Sequence, residues 1–199
     1  MDTREHIVLS AIEKDRPGLV AELSGFVARR RCNVEDSRVI VLGGHAVIMF
    51  LISGDPAGIA LVEHELDALE RDTGLRAVVR RIEHAPEVSS ALQPAPSYLI
   101  TASAMDHEGI IHAIADVVRA NGGNIVEMET TTESAPMSGS PLFALRMVIT
   151  VAERYGSVAK LRGELENLAR GEAIDVEWEE RTNQPLIEME GPPPSPARE

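Results

Sequence analysis

Asp15 and Gly18 stand three positions apart, followed by a branched apolar pair, and the same arrangement returns at Asp106 and Gly109. A carboxylate at that spacing suits an ammonium group. A glycine lets the main chain approach a ligand with no Cβ in the way. If each glycine opens a helix, the unpaired N–H groups and dipole of that helix favour an anion such as a carboxylate. One loop then has partners for both ends of an amino acid. Asn33 and Asn124 follow 15 residues after their glycines (18 to 33, 109 to 124) and add an amide that both donates and accepts. Each residue also has a plainer reading. Asp before a helix is a common cap, Gly serves where helix packs on sheet, and Asn suits a turn.

The elements that must position these residues are read from periodicity. "HIVLSAIE" alternates and is rich in branched residues, so it is a strand. Pro17 suits a first helical turn, and Leu19, Val20, Leu23, Phe26 and Val27 form an apolar stripe behind it. Asn33 to Leu42 is a second strand, and Gly43-Gly44 turns the chain into a third, "AVIMFLIS". Asp55-Pro56 opens a second helix that Gly74 ends, and "LRAVVRRIE" is a fourth strand. The order is βαββαβ, the ferredoxin-like arrangement.

The order then repeats. Asp15, Gly18, Val27 and Asn33 recur 91 positions later, from 15 to 106, as Asp106, Gly109, Val118 and Asn124. Leu19, Val20, Leu23 and Val34 become Ile110, Ile111, Ile114 and Ile125. Farther on, Ile59, Val62, Leu66 and Leu69 match Val158, Leu161, Leu165 and Leu168, with the offset now 99, from 59 to 158. Eight extra residues therefore lie between the Asn and the second helix of copy two, in "TTESAPMSGSP" where copy one has "LGGH". This is an internal duplication. The second copy reads as strand 98–105, helix 109–121, strands 124–132 and 141–151, helix 156–170 and strand 173–181. The expected fold class is α+β, two such domains in tandem with antiparallel sheets and helices on one face. The domains are placed at 1–83 and 97–181, joined by a linker over 84–96, with a disordered tail over 182–199.

Composition narrows the function. The chain has 199 residues, 44% hydrophobic and 26% charged, with formal net charge −13 and 3% aromatic residues. Such a surface repels phosphate backbones and lacks stacking platforms, so direct nucleic-acid binding is not expected. No run of eighteen apolar residues exists, so no membrane span is expected. The opening "MDTREHIVLS" reads as strand rather than leader, and one cysteine, Cys32, excludes an internal disulfide or a Cys-x-x-Cys site. A cytoplasmic protein is expected.

Ferredoxin-like folds host many functions, so the site must decide. A copper carrier needs Cys-x-x-Cys in the first loop, where this chain has "KDRPG" and "MDHEG". The glycine-rich run of an acylphosphatase is missing, as are the strand aromatics of an RNA-recognition motif. No Walker loop or nucleophile–base pair is found, and no enzyme or cofactor is expected. His107 and His112 lack companions for a zinc set and read as surface or loop residues. Arg29, Arg30 and Arg31 complement the dipole at a helix end. Cys32 beside them reads as a buried, inert thiol, although the cations offer a way to lower its pKa. Pro193 and Pro196 have polyproline-ligand spacing in the tail.

"DRPGLVAELSGFVARRRCNV" and "DHEGIIHAIADVVRANGGNI" resemble the opening half of ACT domains, the small-molecule regulatory modules of amino-acid metabolism. The likeness covers roughly residues 6–83 and 97–181. "NIVEMETTTESAPMSGSPLFALRMVITV", with its eight-residue insertion, resembles the tandem-ACT group to which glycine cleavage system transcriptional repressors belong. The resemblance implies that ligands bind at ACT–ACT interfaces beside the first strand–helix loop. By position the candidates are Asp15, Gly18, Leu19, Asn33 and Val34, and then Asp106, Gly109, Ile110, Asn124 and Ile125. It also implies a regulator that binds a small amino acid, glycine or serine first, and acts through a protein partner such as a transcription factor. A homo-oligomer fits the exposed sheet edges. His107-Glu108 replaces Arg16-Pro17, so the two loops need not share ligand or affinity. The competing reading is a ligand-free interaction scaffold built from the same domains.

Overall fold

Alternation sets the first strand. In β1 (Glu5–Lys14), Ile7, Leu9 and Ala11 point to one side and are buried, while the even-numbered positions face the other way. The structure is a computed structural model that describes residues 4–82, 96–134, 139–151 and 157–181. The chain divides into two units after Ser90.

In unit 1, β1 leads to α1 (Leu19–Arg29), whose buried Leu19, Leu23, Phe26 and Val27 repeat at helical spacing. Then come β2 (Asn33–Leu42), β3 (His45–Gly54), α2 (Pro56–His64), α3 (Leu66–Thr73) and β4 (Arg76–Ile82). The sheet order is β2-β3-β1-β4, antiparallel at every pair. Ile7, Leu9, Ile48, Phe50 and Ile52 of the sheet join Leu23, Phe26, Ile59 and Val62 of the helices in one core. Each fully buried Leu or Ile there stabilises the unit by about 1.5–3 kcal/mol.

Unit 2 repeats the plan with β5 (Ser97–Met105), α4 (Ile110–Ala120), β6 (Gly123–Ser134), β7 (Pro141–Val151), α5 (Val158–Glu172) and β8 (Asp175–Arg181). Its sheet order is β6-β7-β5-β8. Ile100, Met147 and Ile149 pack there against Ile114, Leu161 and Leu165. A register shift falls between Val34 and Asp36 in β2 and between Ile125 and Glu127 in β6. Even the bulge is duplicated. The α+β class with helices on one face of each antiparallel sheet is as the repeat implies.

Four details differ from the periodicity. Helix α1 starts at Leu19 rather than at Pro17, because Gly18 at φ 97° is a left-handed cap position that no helix contains. Gly109 takes the same role before α4. The single helix expected from Asp55 to Gly74 is broken at Glu65 (φ −98°, ψ 10°), where Arg30 from the end of α1 donates to the Glu65 carboxylate. Strand β8 begins at Asp175 rather than 173, since Ala173 is left-handed at φ 53° and closes α5. The linker over 84–96, apart from Pro96, and the tail over 182–199 with Pro193 and Pro196 lie outside the described residues.

Candidate functional site

Two helices in each unit begin differently. Helix α2 is capped by Asp55, whose Oδ1 accepts from the Gly58 amide at 2.6 Å, and α5 is capped by Ser157, whose Oγ accepts from the Lys160 amide at 3.4 Å. The helices that follow the Asp-x-x-Gly loops have no such help. Gly18 and Gly109 are their cap residues, in the left-handed region at φ 97° and 94°, and neither helix has a side-chain cap hydrogen bond among the described residues. The first-turn amides of Leu19, Val20 and Ala21, and of Ile110, Ile111 and His112, have no intrahelical partner. Their N–H groups and the dipole point into the loop.

Asp15 and Asp106 therefore do not cap these helices; each sits four residues ahead of the first helical residue. Their main-chain N–H groups hold the loops to the sheet, donating to Gly44 O at 2.9 Å and to Pro141 O at 3.0 Å. Both residues are exposed, and neither carboxylate has a hydrogen bond or ion pair among the described residues. The glycines are not packing devices either. A Cβ on Gly109 would meet nothing within 4 Å, and one on Gly18 only Glu22 Oε1 at 3.7 Å. Their backbone angle is what requires them.

An open hollow lies at each loop. In unit 1 it measures about 430 Å³ and is lined by Asp15, Gly18, Leu19, Val20, Val39 and Ile48. In unit 2 it measures about 420 Å³ and is lined by Asp106, His107, Gly109, Ile110, His112 and Phe143. His107 and His112 thus border a cavity, beyond the plain surface or loop role that spacing suggests. A hollow of about 510 Å³ adjoins the second loop, among Ser103, Met105, Thr131, Glu133, Leu142 and Asp175 on unit 2's sheet.

Register separates the asparagines from these loops. Asn33 pairs with Ser53, which pairs with His6 near the start of β1, whereas Asp15 follows the end of β1 at Lys14. Asn124 pairs with Thr150, which pairs with Ser97, at the same remove from Asp106. Eight or nine residues of strand, about 27 Å, divide the two ends. Within either unit the asparagine does not reach the mouth of the loop, because β2 and β6 run parallel to the strands that lead into those loops. Val34 and Ile125 are half-buried and pack against the cores. Each unit brings together Asp, Gly and the first helical residue, and leaves out the Asn pair.

The loops differ in their cation. Arg16 places its fork on Glu22 at 2.6 and 2.8 Å and donates to Thr73 O at 3.1 Å. The hydrogen bond with Arg16 holds the Glu22 carboxyl below its usual range. In unit 2 the matching residue is His107, whose Nδ1 lies 3.1 Å from Glu108 O and whose Nε2 is 3.9 Å from Glu172. Loop one holds a clamped cation; loop two holds a loosely tied imidazole.

The remaining candidates are structural. Cys32 is 8% exposed, and burial pushes its thiol up, with Asp55 adding to the effect and Arg30 opposing it. Burial outweighs the cations. Arg30 lies over the Phe26 ring at 3.5 Å and donates to Phe26 O at 2.6 Å. The open first-turn amides expected behind Gly18 and Gly109 are present, whereas Asp15 and Asp106, which the sequence also allows as caps, are not caps. Glycine precedes each of these helices, where Asp55 precedes α2 and Ser157 precedes α5.

Residues 5–80 match the ACT domain family model. The chain is 28% identical over 136 residues to the glycine cleavage system transcriptional repressor of Escherichia coli (strain K12), covering 68% of this chain and 69% of that protein. A crystal structure of an unknown protein from Galdieria sulphuraria aligns over 90% of this chain and 99% of its own, with TM-score 0.75 and 27% identity. A crystal structure provisionally described as a glycine cleavage system transcriptional repressor aligns over 91% of this chain and 99% of its own, with TM-score 0.68 and 20% identity, which speaks to fold alone. Residues of unit 1 are thus matched by the ACT domain model, unit 2 repeats the topology of unit 1 down to the bulge, and the chain as a whole is similar to the glycine cleavage system transcriptional repressor.

Proposed function

We propose that this protein is a non-enzymatic regulator of amino-acid metabolism that binds a small amino acid, glycine or serine, at its Asp-x-x-Gly loops. The observation that carries the reading is the contrast between helix starts. Where a side chain caps the second helix of each unit, the first helix of each unit leaves its amides open above a hollow of about 420–430 Å³, with an unengaged carboxylate at the rim. The amides accept the ligand's carboxylate and the aspartate takes its ammonium. A hollow of that size exceeds what glycine or serine fills, so closure around the ligand comes from a further surface at an ACT interface.

Relationship to a transcriptional repressor supports a regulatory role, and the acidic charge of the chain supports an effect on transcription routed through a protein partner. The test is thermal unfolding of the purified protein against each of the twenty amino acids at millimolar concentration. A ligand that binds only the folded state raises the midpoint by mass action. The reading expects a rise with one or two small amino acids. A flat panel would replace it with the ligand-free scaffold.

A further inference from the structure

The helix-free faces of the two sheets carry opposite character. On unit 1 the register sets Ile40 beside Val47 and Val47 beside Ile12 in one row across the sheet. Met49 and Val78 flank Ser10 in the next row, and Leu51 lies beside Val8 in the one after. Ile12, Ile40, Met49 and Val78 are 40–56% exposed. Cations surround this apolar centre: Arg76 opposite Ile12, Arg80 opposite Val8, Arg38 opposite Met49, and Lys14 at the end of β1. Arg38 is engaged by Asp36 at 2.9 Å and Arg76 stands 3.6 Å from Glu70, while Arg80 has no ion pair among the described residues.

The corresponding face of unit 2 is acidic. Glu127, Glu129 and Glu133 line it from β6, and Asp175, Glu177 and Glu179 from β8. Arg146 stands opposite Glu129, and Arg181 closes the end of β8. Between the acidic margins lie Leu99, Val148, Leu142 and Met105. A duplicated fold has kept its core on the helix side and diverged on the other side into a matched pair.

We propose that the helix-free face of unit 1 seats the acidic helix-free face of unit 2 from a second copy of the chain. With two-fold symmetry the contact is made twice, each copy giving its basic face and receiving the other's acidic one. Four strands of about ten residues cover roughly 600 Å² per face at the standard spacings, so two reciprocal contacts bury about 2,400 Å², above the roughly 1,600 Å² of a standard stable interface. Basic face on basic face or acidic face on acidic face would set like charges together, so charge complementarity selects the mixed pairing. This inference does not rest on amino-acid binding.

The test is the mass of the full chain in solution by light scattering, with two charge-reversed variants. One carries Arg76→Glu and Arg80→Glu; the other carries Glu177→Arg and Glu179→Arg. The substituted side chains lie on exposed strand faces, and thermal melts check that both variants fold. Wild type is expected to be a dimer at micromolar concentration, loosened by salt. Each variant alone is expected to associate roughly tenfold or more weakly, since both its contacts now set like charges together. Mixed one to one, the variants are complementary at both contacts and restore the dimer. A wild-type monomer, a dimer indifferent to both reversals, or a mixture that stays monomeric overturns the proposal.

Discussion

Asn121, at the end of α4, donates its side-chain amide to Glu164 of α5 over 2.6 Å and to Val117 O over 2.9 Å. Arg30, 91 positions earlier, donates to Glu65, 99 positions before Glu164, and to Phe26 O. The end of the first helix in each unit is therefore tied to the later helical segment at the matching position, α5 in unit 2 and the α2–α3 junction in unit 1, while the donor has changed from guanidinium to amide. Asn121 is 4% exposed, so its partners are not replaced by water when they are lost.

Replacing Asn121 with Ala should lower stability by about 1–2 kcal/mol, the scale of buried hydrogen bonds removed with their donor. Urea unfolding measures it. The Asn121 hydrogen bond holds the Glu164 carboxyl below its ordinary value, with Lys160 contributing less. A depressed folded value means stability that is complete above roughly pH 4.3, the ordinary glutamate value, and lost as pH falls through the lowered one. The acid limb of stability against pH should therefore flatten in Glu164→Gln.

Gly18→Ala and Gly109→Ala should each cost about 1–2 kcal/mol, because an L residue is strained at a left-handed angle although nothing blocks its Cβ. Asn at either position should cost less, as it visits that region more readily. A penalty equal for Ala and Asn would point to contact rather than backbone angle.

Much of this was legible from the chain. Asp15, Gly18 and Asn33 announced the duplication because a repeat displays itself at fixed offsets. The strands followed from alternation, as at Ile7, Leu9 and Ala11. What the sequence hid was three-dimensional. The distance from Asn33 to Asp15 depends on strand direction, which one-dimensional spacing does not contain. The break at Glu65 depends on Arg30 reaching it from another helix, and the stripe Ile59, Val62, Leu66, Leu69 runs through that break unchanged.

Ala173 closes α5 at φ 53°, where glycine belongs. Ala173→Gly should raise stability by about 0.5–1 kcal/mol, the left-handed strain relieved less the added freedom of the unfolded chain. Thermal unfolding reads the sign.

Gly58→Ala should destabilise unit 1 by about 1–3 kcal/mol, since its Cβ would stand 2.5 Å from Arg30 O and 3.1 Å from Cys32 Sγ. The same change should speed labelling of Cys32 by a thiol reagent, which is slow in the native protein because the thiol is buried and its pKa is raised.

The central claim is that an amino acid rests on the open first turns after Gly18 and Gly109. Titrating isotope-labelled protein with glycine and with serine, while following backbone amide resonances, reads those turns directly. The account predicts saturable shifts at Gly18, Leu19 and Val20 or at Gly109, Ile110 and Ile111, lost in Asp15→Asn or Asp106→Asn with folding stability unchanged within about 0.5 kcal/mol. Amides that stay unmoved at both loops, with either amino acid in millimolar excess, would contradict it.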